Sequence, residues 1–197
     1  VTVQSDQELA TRVVMLKDQQ AFRLLVERHQ AAVRAFLRRL LAGDHAAADD
    51  LAQETFLAVH RKLHTWQATA QFSTWLHSIA YRKFLERTRR ENRYQVMEEV
   101  PEPESAFPGA MGNAAESEIL AQQLMALLGP EDRACLTLAY SVGLSLEEIS
   151  AMMDLPLGSV KSRIHRAKLK LQQWMDDHDH SLHTNETEPP PEQRHAG

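Results

Sequence analysis

Cysteine is almost missing from this sequence. Cys135 stands alone, so the chain can form no internal disulfide and no cysteine-based zinc site. Glycine occurs 7 times in 197 residues, too sparsely for a Gly-rich phosphate loop. No run of 18 apolar residues occurs, so no segment reads as a membrane span. No charged-then-apolar leader opens the chain, which argues against secretion. No nucleophile triad or metal cage is spelled out, so neither an enzyme nor a bound cofactor or metal is expected.

What is present is apolar and charged in ordinary proportion, 43% and 25%, with a formal net charge of -5. Taken whole, that charge disfavours a polyanionic partner. Its distribution does not. Residues 1–95 hold 15 basic and 10 acidic side chains, and residues 119–175 hold 6 and 5. Residues 96–118 hold six acids and no base, and residues 176–197 hold six acids and one base. The acidity therefore lies in two short stretches flanking two near-neutral to basic blocks.

Helical spacing dominates both blocks, and no strand alternation competes with it. Phe22, Leu25, Val26, His29, Val33, Phe36, Leu37, Leu40 and Leu41 step by 3 and 4, one apolar stripe that Gly43 ends. A second helix is predicted over residues 45–63, with Ala52, Phe56, Val59 and Leu63 inward. A polar stretch, residues 64–71, precedes a third helix from about Ser73 that ends in a basic run. Residues 1–95 read as a helical bundle of workable size. Residues 96–118, with three prolines, read as a flexible acidic linker. Residues 119–175 read as a second helical domain, with Pro130 opening a helix and Cys135 buried in it. Residues 176–197 read as a disordered acidic tail; its Asp176, Asp177, His178, Asp179, His180 and His183 are better taken as solubilising than as metal ligands. The fold class is all-α, with two helical domains.

Residues 145–173 carry the strongest local pattern. Ser145 and Glu148 have the spacing of a capping box, and a turn with Gly158 leads to a helix capped by Ser159 and running over residues 160–175. At about 100° per residue, Val160, Ile164, Ala167 and Leu171 share a buried stripe. Ser162, His165, Arg166, Leu169 and Gln173 lie opposite, flanked by Lys161, Arg163, Lys168 and Lys170. Residues 161–170 hold five bases and no acid. A basic rim around a hydrogen-bonding centre suits the major groove, where the rim meets phosphates and the centre meets base edges. This is a helix-turn-helix.

The segments Gly143-Leu144-Ser145-Leu146-Glu147-Glu148-Ile149-Ser150 and Pro156-Leu157-Gly158-Ser159-Val160-Lys161-Ser162-Arg163-Ile164-His165-Arg166-Ala167-Lys168 resemble region 4 of the extracytoplasmic-function sigma factors. Ser159 replaces that family's usual Thr. Independently, Asp18-Gln19-Gln20-Ala21-Phe22, Ala48-Asp49-Asp50-Leu51-Ala52-Gln53-Glu54-Thr55-Phe56 and Gln71-Phe72-Ser73-Thr74-Trp75-Leu76 resemble successive parts of sigma region 2. The resemblance covers residues 18–95 and 119–175, in family order.

That resemblance implies a promoter-specificity subunit of RNA polymerase and assigns roles residue by residue. Asp49, Asp50, Gln53 and Glu54 would dock on core polymerase. Trp66 and Gln67 would belong to the loop that captures an unstacked −10 base, and Arg82, Lys83, Arg87, Arg89 and Arg90 would track the opening DNA. Ser159, Lys161, Ser162, Arg163, His165, Arg166 and Lys168 would read the −35 element. Arg82 and Glu86 stand where the family usually has Asn and often Asp, so the resemblance leaves the −10 base preference open. The implied partners are core polymerase, promoter DNA and a membrane-bound anti-sigma factor, in the cytoplasm and without stable self-association. Two readings stay open beside it: a stand-alone helix-turn-helix regulator, and a sigma mimic that only sequesters an anti-sigma factor.

Overall fold

The computed structural model describes residues 4–95 and 114–184, all of them helices and short connections. Residues 96–113 of the expected linker (96–118) and residues 185–197 of the expected tail (176–197) lie outside the described residues, while residues 114–118 are helical. In chain order the helices are α1 (Asp6–Leu16), α2 (Gln19–Leu40), α3 (His45–Lys62), α4 (Phe72–Gln95), α5 (Ala114–Ala126), α6 (Pro130–Thr137), α7 (Leu146–Met153) and α8 (Leu157–Thr184). No helix among them is long and apolar enough to cross a membrane.

Each boundary has a local cause. Ser5 and Glu8 cap α1 reciprocally, a capping box that the apolar pattern alone does not reveal. Asp18 then caps α2, accepting the amides of Gln20 and Ala21. Those amide contacts, Ala21's first, and the Arg12 guanidinium hold the Asp18 carboxyl below the usual carboxylate range. Asp44 caps α3 after the left-handed Gly43, φ +94°. Pro130 opens α6, as expected, but the last turn widens into a π-turn over Leu138–Val142.

Two expectations are corrected at α8. The helix begins at Leu157, and the Ser159 and Val160 amides both bond the Pro156 carbonyl. Ser159 therefore sits inside the first turn and does not cap it. The helix also continues past residue 175 to Thr184. No Pro or Gly lies between Gly158 and Pro189, so nothing in the covalent chain stops it at the acidic run.

The first four helices close over Leu25, Val33, Phe36, Leu37, Val59, Leu76 and Ile79, all nearly inaccessible. The last four close over Leu128, Ala134, Cys135, Leu138, Ile149, Val160 and Ala167. Both sets belong to one continuous apolar cluster, because α2 packs against α6. Arg133 sits in that seam. Its guanidinium donates to the Leu40 carbonyl at the C-terminal end of α2 (2.7 Å) and to the Leu128 carbonyl (2.9 Å). A cation suits the negative end of a helix dipole. Thr74 to Glu148 (3.4 Å) and Gln122 to His45 (3.2 Å) add polar contacts across the same seam. Tyr81 of α4 is buried nearby, and burial pushes its phenol up to about 12.

One buried group makes stability depend on pH. His77 is 4% exposed, its ring edge-on to Phe36, and its Nδ1–H donates to the Ser73 carbonyl at 2.7 Å. Burial holds its imidazole below the usual range, with the Ser73 bond opposing. The folded form thus binds the proton less readily than the unfolded form. Its stability is present above the unfolded value and is lost as pH falls below it. The melting temperature of the protein is expected to fall between about pH 7 and about pH 5, and to fall less steeply in His77→Phe. Equal slopes for the two proteins would refute this role.

Candidate nucleic-acid interface

Helical geometry splits the four acidic and amide residues of α3. Asp49 is turned towards α2, where its carboxylate lies 3.5 Å from both Arg34 and Arg38. Glu54 lies 3.7 Å from Lys83 of α4. Asp50 and Gln53 are exposed, and Asp50 makes no ion pair among the described residues. Leu57 completes their stripe one turn on, 60% exposed. Leu57 is not among the residues expected to dock on polymerase, although its position outside the inward set of Ala52, Phe56, Val59 and Leu63 marks it.

Between α3 and α4 the chain folds around Trp66. Its indole N–H donates to the Ala70 carbonyl at 3.2 Å, and its ring meets Phe72 edge-on at 5.2 Å. Ala68 takes a left-handed φ of 55° at the loop tip. Trp66 is half-buried and Gln67 exposed. Phe72 is buried in the core.

The basic residues of α4 fall on two faces. Lys83 and Arg87, four apart, turn towards α3: Lys83 pairs with Glu86 (2.8 Å) and Glu54, and Arg87 with Glu91 (2.7 Å) and Asp44. Arg82, Arg89 and Arg90 are exposed and make no ion pair among the described residues. Arg82, Arg89 and Arg93 lie within about 40° of one another around the helix axis. They form the stripe of α4 that a polyanion can reach.

On α8 the apolar phase is fixed by buried Val160, Ile164 and Ala167. Lys161, Ser162, His165 and Arg166 are exposed as a result, and Ser159 is half-buried. Arg163 is different. Its guanidinium pairs with Glu131 and with Asp132 (2.9 Å) on α6 and is 24% exposed. Arg166 is 60% exposed and reaches Asp132 only at 3.6 Å. Lys168 caps the ring of Tyr140 at 4.5 Å, and the π-turn leaves that ring 62% exposed. The exposed face of α8 thus centres on Lys161, Ser162, His165 and Arg166, while Arg163 ties α8 to α6. Among the described residues no group of three or more His, Cys, Asp and Glu could hold a metal ion. The side chains of His178, Asp179, His180 and His183 lie outside them.

Comparison with known proteins places this arrangement. Residues 25–94 match sigma-70 region 2, and residues 119–171 match sigma-70 region 4. The chain is 38% identical over 160 residues to the ECF RNA polymerase sigma factor SigE of Mycolicibacterium smegmatis, covering 78% of this chain and 61% of that protein. It is 34% identical over 177 residues to the ECF RNA polymerase sigma-E factor of Salmonella typhimurium, covering 83% and 91%. Among solved structures, CnrH in complex with the cytosolic domain of CnrY superimposes with a TM-score of 0.64 at 26% identity, covering 88% of this chain and 99% of that one. The sigma factor RpoE of Bartonella quintana, solved with the anti-sigma factor NepR, shares the fold with a TM-score of 0.67 at 24% identity, covering 80% and 98%. Two sigma regions in family order, on an all-helical frame, identify the chain as a member of the extracytoplasmic-function RNA polymerase sigma factors.

Proposed function

We propose that this protein is an initiation factor and not an enzyme: it binds core RNA polymerase in the cytoplasm and directs it to promoters by reading −35 and −10 elements. One observation carries the reading. The exposed face of α8 sets Lys161, Ser162, His165 and Arg166 opposite the buried Val160, Ile164 and Ala167, a basic, hydrogen-bonding surface without an acid. Such a face neutralises phosphates and reads base edges. Asp50, Gln53 and Leu57 form the docking stripe for polymerase, with charge at one end and an apolar anchor at the other. Arg82, Arg89 and Arg90 follow the strand that melts, beside the Trp66 loop. An anti-sigma factor is the regulator, in line with CnrH having been solved in complex with the cytosolic domain of CnrY. The domains that do this work are residues 1–95 and 119–175.

Run-off transcription with core polymerase and a promoter library is the test. The expected result is a set of transcripts that need this protein and share two sequence elements. Tight binding of the free protein to duplex DNA, with no transcript stimulated, would make it a stand-alone regulator. Capture of an anti-sigma factor with no transcript would make it a mimic.

A further inference from the structure

The Trp66 loop is one side of a cleft of about 270 Å³ whose other side is α1. Gln7, Thr11 and Met15 line it from α1, and His64, Trp66 and Gln67 from the loop. Its volume lies just below the range of about 300–1,000 Å³ typical of drug-sized ligands, so it takes a single planar ring system. Its walls combine flat and apolar groups with free hydrogen-bonding ones. The Gln7 and Thr11 side chains are both exposed. The Thr11 hydroxyl donates to the Gln7 carbonyl at 2.8 Å, which leaves its oxygen lone pairs to accept from a ligand. The Gln7 amide makes no hydrogen bond among the described residues, so it offers a donor and an acceptor side by side. The indole of Trp66 is anchored through Ala70 and does not need to be ordered by the ligand.

The neighbouring surface shows what kind of ligand fits. It shares Val14, Leu63 and His64 with the cleft and carries Lys17, His60 and Arg61. The acid there, Asp18, is already committed to Arg12 and to the first amides of α2. A cleft for one flat ring with cations beside it is built for a nucleotide whose phosphate lies outside. A peptide would bring no phosphate to that flank.

We propose that α1 is the second wall of a pocket for one unpaired nucleotide of the melted promoter strand, with Gln7 and Thr11 deciding which base is accepted. This rests on the reading of the 66–72 loop as a base-capturing element and adds to it a helix that nothing else in that reading employs. A base drawn from the stack is recognised by stacking and by hydrogen bonds to its edge. A hydrogen-bonded base contact discriminates by about five- to 150-fold.

The test uses the holoenzyme assembled from full-length protein and core polymerase. The probe is forked promoter DNA whose non-template strand is unpaired and randomised across the −10 region, taken through one round of selection and sequencing. Gln7→Ala and Thr11→Val are expected to change the preference at one unpaired position by about tenfold, leaving the −35 preference intact. Thr11→Ser is expected to restore it. Both side chains are surface groups, so folding is not at issue, and matched melting temperatures verify that. If Trp66→Ala erases the preference while the α1 variants stay within about twofold of wild type at every position, the α1 wall is refuted and loop capture survives. If the wild type itself selects no unpaired base, capture by the loop fails, and the α1 wall fails with it.

Discussion

Asp50→Arg abolishes co-purification of this protein with core RNA polymerase and leaves its melting temperature almost unchanged: that is the expected result. Asp50 is exposed and makes no ion pair among the described residues, so its reversal removes no intramolecular contact. At the proposed interface the same reversal places a cation where a carboxylate met one. Loss of a buried charge partner costs about 2–5 kcal/mol, and reversal adds repulsion to that. Affinity then falls by well over 100-fold, since each 1.4 kcal/mol is about tenfold. Asp49→Arg is the contrasting control. It removes the carboxylate shared by Arg34 and Arg38 and sets a third cation beside them, so it lowers the melting temperature where Asp50→Arg does not. Undiminished co-purification of Asp50→Arg would remove α3 from the interface.

Arg166→Glu and Arg163→Glu, three residues apart on α8, are expected to fail in different ways. Arg166 is 60% exposed and its contact with Asp132 is long, so its reversal leaves melting intact. It places an acid against DNA at the centre of the readable face. Transcripts that depend on the −35 element should drop by about 100-fold, the scale of one lost base contact plus repulsion. Arg163→Glu instead brings a third carboxylate against Glu131 and Asp132. The pairs are only partly buried, so screening limits the loss to about 1–2 kcal/mol, or roughly 2–8 °C in a chain of this size. Run-off transcription and thermal melting of the two variants separate the roles. Normal transcription by Arg166→Glu would overturn the assignment of this face to DNA.

Much of the fold was legible because helices announce themselves locally. The spacing of Val33, Phe36, Leu37 and Leu40, the glycine at 43 and the Ser145–Glu148 box are each read within a few residues, and each is in place. No helix was expected over residues 6–16, because the signal of α1 is a capping box and a short apolar face instead of a long stripe. The far end of α8 runs beyond the expected residue 175 because an acidic run carries no proline or glycine to interrupt the backbone pattern. The candidate surfaces were legible as faces and not as individual side chains. Helical phase put Arg163 and Arg166 on the same rim, but what frees one and fixes the other is Asp132, 31 residues before Arg163. The same holds for Asp49 and Asp50, which Arg34 and Arg38 tell apart from another helix.

The seat of Arg133 against the end of α2 bears on how tightly the protein engages polymerase. Positions −35 and −10 are separated by 25 base pairs, about 85 Å of B-form DNA at 3.4 Å per pair. Halves that share one apolar cluster, with Arg133 bonded to the Leu40 carbonyl, cannot stand that far apart. Reading both elements requires the seam to part, with the Arg133 guanidinium returned to water. The closed arrangement cannot span a promoter, and where it competes with a parted one the apparent affinity for polymerase is the intrinsic affinity multiplied by the parted fraction. Any protein that binds across the closed seam lowers that fraction further without touching a single DNA-reading side chain.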